Sequence, residues 1–545
     1  MTLKPEFCNC GYFTDNQNMN ALFILYGGRL TPHAFEAVFN GKNSVTLAVE
    51  QAKKFPGTGK IVLLASYGDF SFLNGVQVEQ RDNWTKRTLL ERISELQAGF
   101  DLAYFAFADC PFLDPVLGGN VAGRHTRYSA EYSYADGWPY GLASETLSPG
   151  TAGILSKITG DDDGKIERDI LFSVIQKDIN NFDIEAEISS VDLRCRRINL
   201  CADSKRNLLL LKNFFNAAGG KIPSANEVEK IVIEKPEILR TLPSFFPVQV
   251  YGGCPQKCLL CPYPLITDSA GRRDFMDCGK FETLLDNIAA FCGDAVIDLS
   301  LWGELSLHPD KLKLIEAVVS RSELALVIET TGIGWKIDEL EKCANIAGNA
   351  IASNAIASND IARNEGLRKN PLPAISWIVS LDTLDQQKYA RLHGQGFAEA
   401  ENCAKKLLSL FPADSYVQAV RVKGSEDDTE KFYRYWKENA PNSEKNIIIQ
   451  KYDCFCGKLE KMQGSDISPV TRDPCWHIMR DLPVLIDGTV PLCREDLENT
   501  RVLGNVFTDS LETIWNNGFL YYKEHTLKNY SGLCVECDEY YTYNF

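Results

Sequence analysis

Six short apolar segments, each followed by a stretch of helical periodicity, recur through the second half of this chain and constrain its fold more than any other feature. The segments are, in chain order, Phe245–Gly252, Ala295–Gly303, Leu324–Gly332, Ala374–Asp382, Tyr416–Gly424 and Asn446–Asp453. Continuous apolar strands that alternate with helices are typical of a parallel sheet whose faces are covered by helices. The six β/α units therefore predict an α/β fold in which residues 245–453 form a partial, TIM-like (β/α)6 barrel.

The rest of the sequence divides into three further regions, as expected for 545 residues, which are too many for one hydrophobic core. Near the N-terminus, apolar segments alternate with helical stretches and predict an open α/β domain over residues 19–156. These segments are Ala21–Gly27, Lys60–Ser66 and Leu102–Asp109. Residues 157–244 are predicted to form a mostly helical connecting region. The cysteine- and aromatic-rich residues 454–545 are predicted to form a small C-terminal domain.

A near-repeat, NAIASNAIASNDIARN, occupies Asn349–Asn364 between the third and fourth barrel strands. Its five-residue period matches neither a helix face nor a strand, so it is interpreted as a surface insertion that the barrel tolerates.

Composition excludes two classes of partner. The net charge is −16 and no block of Lys and Arg occurs, which argues against a nucleic-acid partner. No run approaches the roughly 20 apolar residues that span a bilayer, so no membrane association is expected and the predicted location is the cytoplasm. Disulfides are rare in that compartment. Clustered members of the 18 cysteines are therefore expected to bind a metal or an iron–sulfur cluster.

The first cysteine cluster follows the first barrel strand. Cys254, Cys258 and Cys261 are spaced C-x3-C-x2-C within GGCPQKCLLCPY. Active sites of β/α barrels lie at the carboxyl ends of the strands, where this loop is placed. Three thiolates can hold three irons of a four-iron cluster and leave the fourth iron open. A zinc knuckle is the alternative, although such a site normally needs a fourth protein ligand nearby.

This spacing and placement resemble the radical S-adenosylmethionine superfamily. The resemblance implies that the open iron binds S-adenosylmethionine and that its reductive cleavage yields a 5′-deoxyadenosyl radical. LSLWGELSLHPD resembles the family's GGE motif, with Gly303 and Glu304 implied to hold the methionine amino group and Trp302 in place of the first glycine.

Two further strand ends supply polar side chains for the same cofactor. Ser380 and Asp382, at the end of the fourth strand, resemble the family's ribose-contacting segment, and a carboxylate there suits two vicinal hydroxyls. Arg421, on the fifth strand, is predicted to pair with the methionine carboxylate, since a guanidinium binds carboxylates in a bidentate manner. No residue is assigned a catalytic role beyond cofactor binding.

The second cysteine cluster is near the C-terminus. Cys475 and Cys493 flank a predicted turn at Asp487-Gly488, and Cys534 and Cys537 form a C-x2-C pair. The pattern resembles the SPASM/twitch extension of radical enzymes, which implies one auxiliary 4Fe–4S cluster and two clusters in all. Closed tetrahedral zinc is the alternative. The roles of Cys454 and Cys456, possible extra ligands, are left open.

The N-terminal region carries a second resemblance. FADCPFLDP, which contains Asp109, and WPYGLASET, which contains Glu145, resemble cytidylyltransferase-like sugar nucleotidyltransferases. Asp109 is implied to help hold magnesium, with Glu145 as its partner. The triphosphate loop is reduced to Gly27, Gly28 and Arg29, so an inactive, substrate-recognising or scaffolding lobe is favoured. The fused layout is similar to a family called spiro-SPASM.

The leading hypothesis is a radical S-adenosylmethionine enzyme that abstracts hydrogen from a peptide or small molecule, with an electron donor such as flavodoxin or ferredoxin. Its expected cofactors are two 4Fe–4S clusters and S-adenosylmethionine. The alternatives are a sugar nucleotidyltransferase with an accessory iron–sulfur barrel, or a non-catalytic iron–sulfur protein.

Overall fold

The computed structural model describes residues 19–160, 166–266, 274–361, 375–464, 468–469 and 471–542. The chain forms two compact units, which divide between Leu239 and Arg240.

The first unit is built on a seven-stranded sheet in the order β3-β2-β1-β4-β6-β5-β7, in which only β6 is antiparallel to its neighbours. Its strands are β1 (Ala21–Gly28), β2 (Thr58–Ala65), β3 (Gln77–Gln80), β4 (Leu102–Phe107), β5 (Tyr132–Asp136), β6 (Glu145–Leu147) and β7 (Ile184–Ile188). Its helices are α1 (Ser44–Ala52), α2 (Lys86–Leu96), α3 (Pro115–Arg127), α4 (Thr151–Ile158), α5 (Ile170–Ile175), α6 (Lys205–Ala217) and α7 (Ala225–Glu234). Strands β1 and β4 are buried along their whole length, which explains their continuous apolar sequences.

This sheet extends beyond the predicted boundary at residue 156. Strand β7 lies inside the region predicted to be a helical connection, and it pairs in parallel with β5 along Tyr132–Asp136. It is an edge strand of sequence IEAEI with no fully buried residue. Because charged residues are common on edge strands, the segment lacks the apolar run that marks the central strands.

The second unit contains the predicted partial barrel. Six strands lie side by side in chain order, β8 to β13, and all neighbours are parallel. The strands are β8 (Phe245–Pro247), β9 (Ala295–Asp298), β10 (Leu324–Thr330), β11 (Ile375–Ser380), β12 (Ser415–Arg421) and β13 (Ile447–Lys451). The helices are α8 (Tyr263–Ile266), α9 (Cys278–Cys292), α10 (Lys311–Val319), α11 (Ile337–Ile361), α12 (Gln386–Leu392), α13 (Phe397–Leu410) and α14 (Glu426–Asn439). Each predicted barrel segment contains one of these strands, so the α/β half-barrel prediction is confirmed.

The C-terminal residues continue this unit and cover one edge of the sheet. They contain β14 (Thr489–Pro491), β15 (Val502–Asn505), α15 (Trp476–Arg480), α16 (Leu511–Asn517) and α17 (Phe519–Thr526). The N–H groups of Leu482 and Val484 donate to the carbonyls of Phe245 and Pro247 at 2.9 and 2.8 Å, so the chain lies alongside β8. An exposed strand edge is thereby paired, and the C-terminal cysteines are anchored to the barrel.

The near-repeat is helical over most of its length. Helix α11 continues to Ile361 and includes most of it, while residues 362–364 lie outside the described chain. Alanine is the strongest helix former, and its frequency in this segment outweighs the lack of a 3.6-residue pattern. The expectation that the period does not suit a helix was therefore wrong, and the interpretation as a surface insertion stays a prediction. Within the described ranges, no helix is long and apolar enough to cross a membrane.

Candidate functional site

A cavity of about 250 Å³ lies at the carboxyl ends of the half-barrel strands. Residues from all six strand ends line it, together with the first cysteine loop. Among the predicted residues, the wall includes all but one of those assigned to the first cluster and its cofactor. These are Cys254, Cys258, Cys261, Gly303, Glu304, Ser380 and Asp382.

The cysteine loop is fixed against α12. The Leu259 N–H donates to the carbonyl of Leu392 at 2.8 Å, and the Gln256 amide donates to the Tyr389 hydroxyl at 2.8 Å. Burial raises the pKa of the Cys254 thiol to about 12. A bound metal reverses this effect, because a coordinated thiol is deprotonated.

Three thiols of one short loop line the cavity. Three thiolates can hold three irons of a four-iron cluster, so this donor set fits such a cluster with one iron left open. A single zinc ion would normally need a fourth protein ligand nearby.

Glu304 is buried where β9 ends, with only 1% of its surface exposed. Its carboxylate accepts hydrogen bonds from the Thr330 hydroxyl at 2.7 Å and the Thr331 N–H at 2.8 Å. Burial raises its pKa, because the charged form loses water. These contacts fix the carboxylate at the cavity wall, and its remaining lone pairs can accept from a ligand.

The backbone before Glu304 has the shape of a glycine turn. A Cβ at Gly303 would lie 1.9 Å from the Tyr251 carbonyl oxygen, so only glycine fits. Trp302, which replaces the family's first glycine, adopts a left-handed φ of 45°. Its carbonyl accepts from the Gln249 amide at 3.0 Å. The motif's backbone shape is thus present despite the departure in sequence.

Asp382 connects to the first cluster through a residue that the sequence did not single out. Its Oδ2 lies 2.7 Å from Nε2 of His393, and His393 Nδ1 lies 3.1 Å from the Cys258 sulfur. The other carboxylate oxygen of Asp382 accepts a hydrogen bond from the Val420 N–H at 2.6 Å. His393 is 4% exposed and lies directly after α12. The chain of contacts runs from carboxylate to imidazole to thiol and orients Cys258.

Ser380 donates to Glu329 Oε1 at 2.9 Å, and the Gln418 amide donates to the same oxygen at 2.7 Å. These side chains come from three neighbouring strands and all line the cavity. They form a polar floor that contains hydrogen-bond acceptors suited to hydroxyl groups.

Arg421 is not among the residues that line the cavity. Its chain neighbour Val420 does line it, and so does Lys451, which pairs with Arg421 across β12 and β13. Arg494 is a second cation on the wall. The structure therefore offers other carboxylate partners than the one predicted.

Two buried carboxyl groups on the cavity wall have raised pKa values. Desolvation raises the pKa of Asp298 to about 7 and that of Asp453 to about 6. Arg494 lies 3.4 Å from Asp453 and partly offsets this cost. Both carboxyl groups came from strand ends that the sequence analysis read only as strands, and no motif marked them.

The second cysteine site is small and enclosed. Cys475, Cys493, Cys534 and Cys537 line a cavity of about 20 Å³. Four thiols around so small a space can hold a closed four-iron cluster or a tetrahedral zinc ion. The predicted turn is present: the Leu485 N–H donates to the Thr489 carbonyl at 2.9 Å, and Gly488 has a φ of 85°.

Cys456 is a fifth thiol at this site. It hydrogen-bonds to the Cys537 sulfur, which raises the pKa of Cys456 and lowers that of Cys537. The preceding residue, Phe455, packs against the same apolar cluster as Cys254 and Cys261. Two adjacent residues therefore contact the two cysteine sites. Cys454 is buried.

In the first unit, the predicted magnesium aspartate is already occupied. Both oxygens of Asp109 accept from the Arg168 guanidinium, at 2.7 and 2.6 Å. Glu145 instead accepts from the Tyr132 hydroxyl. Asp109 groups with Cys110 and Cys201, and Glu145 is not in that group. The structure does not bring together the two predicted magnesium ligands.

Comparison with known proteins identifies the family. Residues 475–538 match the SPASM family, described as an iron–sulfur cluster-binding domain. An uncharacterized protein of Treponema pallidum (strain Nichols) is 32% identical over 384 residues, which cover 69% of this chain and 98% of that protein.

Two solved structures are similar at low TM-scores. BtrN in complex with AdoMet and 2-DOIA matches at a TM-score of 0.34 and 15% identity, covering 54% of this chain and 92% of BtrN. A cytidylyltransferase from Leptospira borgpetersenii serovar Hardjo-bovis (strain JB197) matches at 0.34 and 15%, covering 40% and 95%. The chain belongs to the family of the Treponema pallidum protein, and its half-barrel is followed by a region that matches a SPASM iron–sulfur cluster-binding domain.

Proposed function

We propose that this protein is a radical S-adenosylmethionine enzyme that abstracts hydrogen from a polar substrate in the half-barrel cavity. The observation that carries the proposal is the three-thiol loop on the wall of a 250 Å³ cavity. A four-iron cluster on this loop would supply an open iron and an electron for cleavage of S-adenosylmethionine. The residues present fit that group, because the loop offers three spaced thiols and the strand ends offer acceptors.

The strand ends supply the contacts for S-adenosylmethionine. Glu304 is held by Thr330 and Thr331 in a position to accept from an ammonium group. Ser380 and Glu329 supply acceptors for hydroxyl groups on the cavity floor. Lys451 and Arg494 are the cations on this wall that can pair with a carboxylate, and each is also ion-paired within the chain, Lys451 with Asp538 and Arg494 with Asp453.

The remaining wall supports a substrate with hydrogen-bonding groups. Asp298 and Asp453 are buried carboxyl groups whose raised pKa values suit proton exchange near neutral pH. Apolar groups would not offset the free-energy cost of desolvating these two carboxyl groups, whereas hydrogen bonds to a hydroxyl or amino group of a substrate would. A polar small molecule or a peptide with a polar side chain meets this requirement.

One auxiliary 4Fe–4S cluster in the SPASM region completes the proposal. Four thiols can occupy every ligand position of a four-iron cluster, so this cluster binds no substrate and serves electron transfer. The electron for the first cluster comes from a small donor such as flavodoxin or ferredoxin, and the enzyme acts in the cytoplasm.

A second activity in the N-terminal unit is not supported. A magnesium ion at Asp109 would have to displace Arg168, which holds both carboxylate oxygens and also lies 3.1 Å from Asp203. Breaking a buried ion pair is strongly unfavourable. We expect no magnesium-dependent release of pyrophosphate from CTP by the full-length protein. Release that is lost on Asp109→Ala would restore the nucleotidyltransferase hypothesis.

The proposed function is tested by anaerobic reconstitution with iron and sulfide, followed by reduction in the presence of S-adenosylmethionine. We expect 5′-deoxyadenosine to form, and deuterium to pass between labelled 5′-deoxyadenosine and a molecule of the protein's own cell. A reconstituted protein that holds iron but yields no 5′-deoxyadenosine would favour the non-catalytic iron–sulfur alternative.

A further inference from the structure

The first unit contains a second large cavity, of about 310 Å³, to which the proposed function assigns nothing. It lies between the sheet strands β4, β5 and β6, helix α5, and the chain between β5 and β6. Small-molecule sites typically have this size and this kind of enclosure.

Aromatic rings form much of its wall. Tyr132 and Tyr134 stack with their ring centroids 5.6 Å apart, and the Phe172 ring lies 5.9 Å from that of Tyr134. Trp138 and Tyr140 complete this side. Several rings around one space attract a cation, because each ring presents a negative face.

Two carboxyl groups share the cavity with these rings. Glu145 and Asp169 both line it, and burial, with a smaller contribution from the Asp169 carboxylate, raises the pKa of Glu145 to about 7. Glu145 accepts a hydrogen bond from Tyr132. Within the described residues, neither carboxyl group has an ion pair with a lysine, arginine or histidine.

The nearby cation is already neutralised. Arg168 lines the cavity, but its guanidinium is held by Asp109 and Asp203. It therefore does not compensate Glu145 or Asp169, and the site carries unbalanced negative charge. An anionic ligand such as a nucleotide would meet repulsion here.

A buried polar group is also left without a partner. The Ser144 hydroxyl is on a residue only 1% exposed that lines the cavity, and it makes no hydrogen bond within the described chain. The indole N–H of Trp138 is likewise buried and unpaired. Unsatisfied buried polar groups cost free energy, and a ligand with a hydroxyl or carbonyl group would remove that cost.

We propose that this cavity binds a small organic ammonium ion that also carries a hydroxyl or carbonyl group. The aromatic walls accept the alkyl groups and diffuse charge of such an ion, Glu145 and Asp169 supply the counter-charge, and Ser144 and Trp138 supply polar contacts. The site makes no use of the iron–sulfur chemistry, and Arg168, which is paired with Asp109, is part of its wall.

The test uses the full-length protein and two probes of nearly equal shape, choline and its neutral isostere 3,3-dimethylbutan-1-ol. Calorimetric titration at low ionic strength should give saturable binding of choline and at least about tenfold weaker binding of the neutral alcohol. Glu145→Gln should reduce choline affinity about tenfold and leave the alcohol unchanged. Glu91→Gln, at an exposed position on α2, is the matched control and should bind choline normally.

Equal affinity for the two probes would overturn the proposal, since the charge would then contribute nothing. No saturable choline binding at concentrations up to about 10 mM would also overturn it. The thermal unfolding temperature of Glu145→Gln shows whether the substitution destabilises the fold. If that variant is destabilised, Tyr134→Leu replaces it, and unchanged choline affinity in Tyr134→Leu overturns the proposal as well. Binding is measured without iron, so the result is independent of the proposed function.

Discussion

The two cysteine sites of the second unit both consist of thiols, but they differ in how those thiols are placed along the chain. The first takes three thiols from one loop, between Cys254 and Cys261, and faces a cavity of about 250 Å³. The second brings together four thiols from separate segments, the first and last of which are 62 residues apart in sequence, and it encloses about 20 Å³. A local loop leaves one side of a cluster open to a ligand, whereas ligands from separate segments close around it. On the function proposed above, ligand placement, and not ligand type, separates a reactive site from an electron-transfer site.

The largest expected effect comes from removing the open site. Replacing Cys254, Cys258 and Cys261 by Ala should abolish 5′-deoxyadenosine formation and reduce bound iron from about eight to about four per chain. Iron analysis and chromatography of the reaction products measure both. Cleavage activity that survives in this variant contradicts the radical assignment.

Removing a ligand of the enclosed site should affect the auxiliary cluster without stopping cleavage of S-adenosylmethionine. Cys475→Ala should lose about half of the iron and lower the unfolding temperature, because Cys475 is buried and the cluster ties distant segments together. Cleavage of S-adenosylmethionine should continue, because the first loop is unchanged. Cys292→Ala, a buried cysteine on α9, is the control for packing alone. A Cys475→Ala variant with full iron content contradicts the assigned ligand set.

Glu304→Ala is expected to have an intermediate effect. It should leave both clusters assembled and weaken S-adenosylmethionine binding by roughly 1–3 kcal/mol, since a buried acceptor is lost. Equilibrium binding to the reconstituted protein measures this. Glu316→Ala, on helix α10, should bind normally. Unchanged affinity in Glu304→Ala would show that the cofactor lies elsewhere in the cavity.

His393→Ala should alter the first cluster without removing it. The imidazole lies 3.1 Å from the Cys258 sulfur, so its loss removes a hydrogen-bond partner of one ligand. Such contacts tune the potential of iron–sulfur clusters. We expect a shifted reduction potential with iron content unchanged. An identical potential in the variant would mean that the contact is lost when the cluster binds.

The smallest effect is expected at the fifth thiol. Cys456→Ala should shift the spectrum of the auxiliary cluster slightly, because Cys456 hydrogen-bonds to Cys537. Cys454→Ala is the matched control and should leave the spectrum unchanged. Identical spectra for both variants would place Cys456 outside the site. Loss of the cluster in Cys456→Ala would make Cys456 a ligand in its own right.

Sequence reasoning predicted the half-barrel and the position of the first cysteine loop at its mouth, because each depends on a local pattern. Apolar strands repeat with helices, and Cys254 to Cys261 form one short motif. It missed His393, whose contact with Cys258 depends on α12 packing against the cysteine loop. It also missed Asp298 and Asp453, because isolated carboxylates at strand ends have no sequence signature until the strands align. Arg421 was placed on the correct strand, but it is not among the residues that line the cavity.

The turn at Asp453–Gly457 has a consequence for timing. Its backbone is closed by hydrogen bonds from the Gly457 and Leu459 N–H groups to the Cys454 carbonyl, at 3.1 and 3.0 Å. Phe455 contacts the apolar cluster around the first cysteine loop, and Cys456 contacts Cys537. The rate of electron tunnelling falls steeply with separation. If each cysteine site holds an iron–sulfur cluster, as we propose, this short hydrogen-bonded segment links the two clusters and limits changes in their separation. Exchange between them would then keep one rate while substrate enters and leaves the cavity.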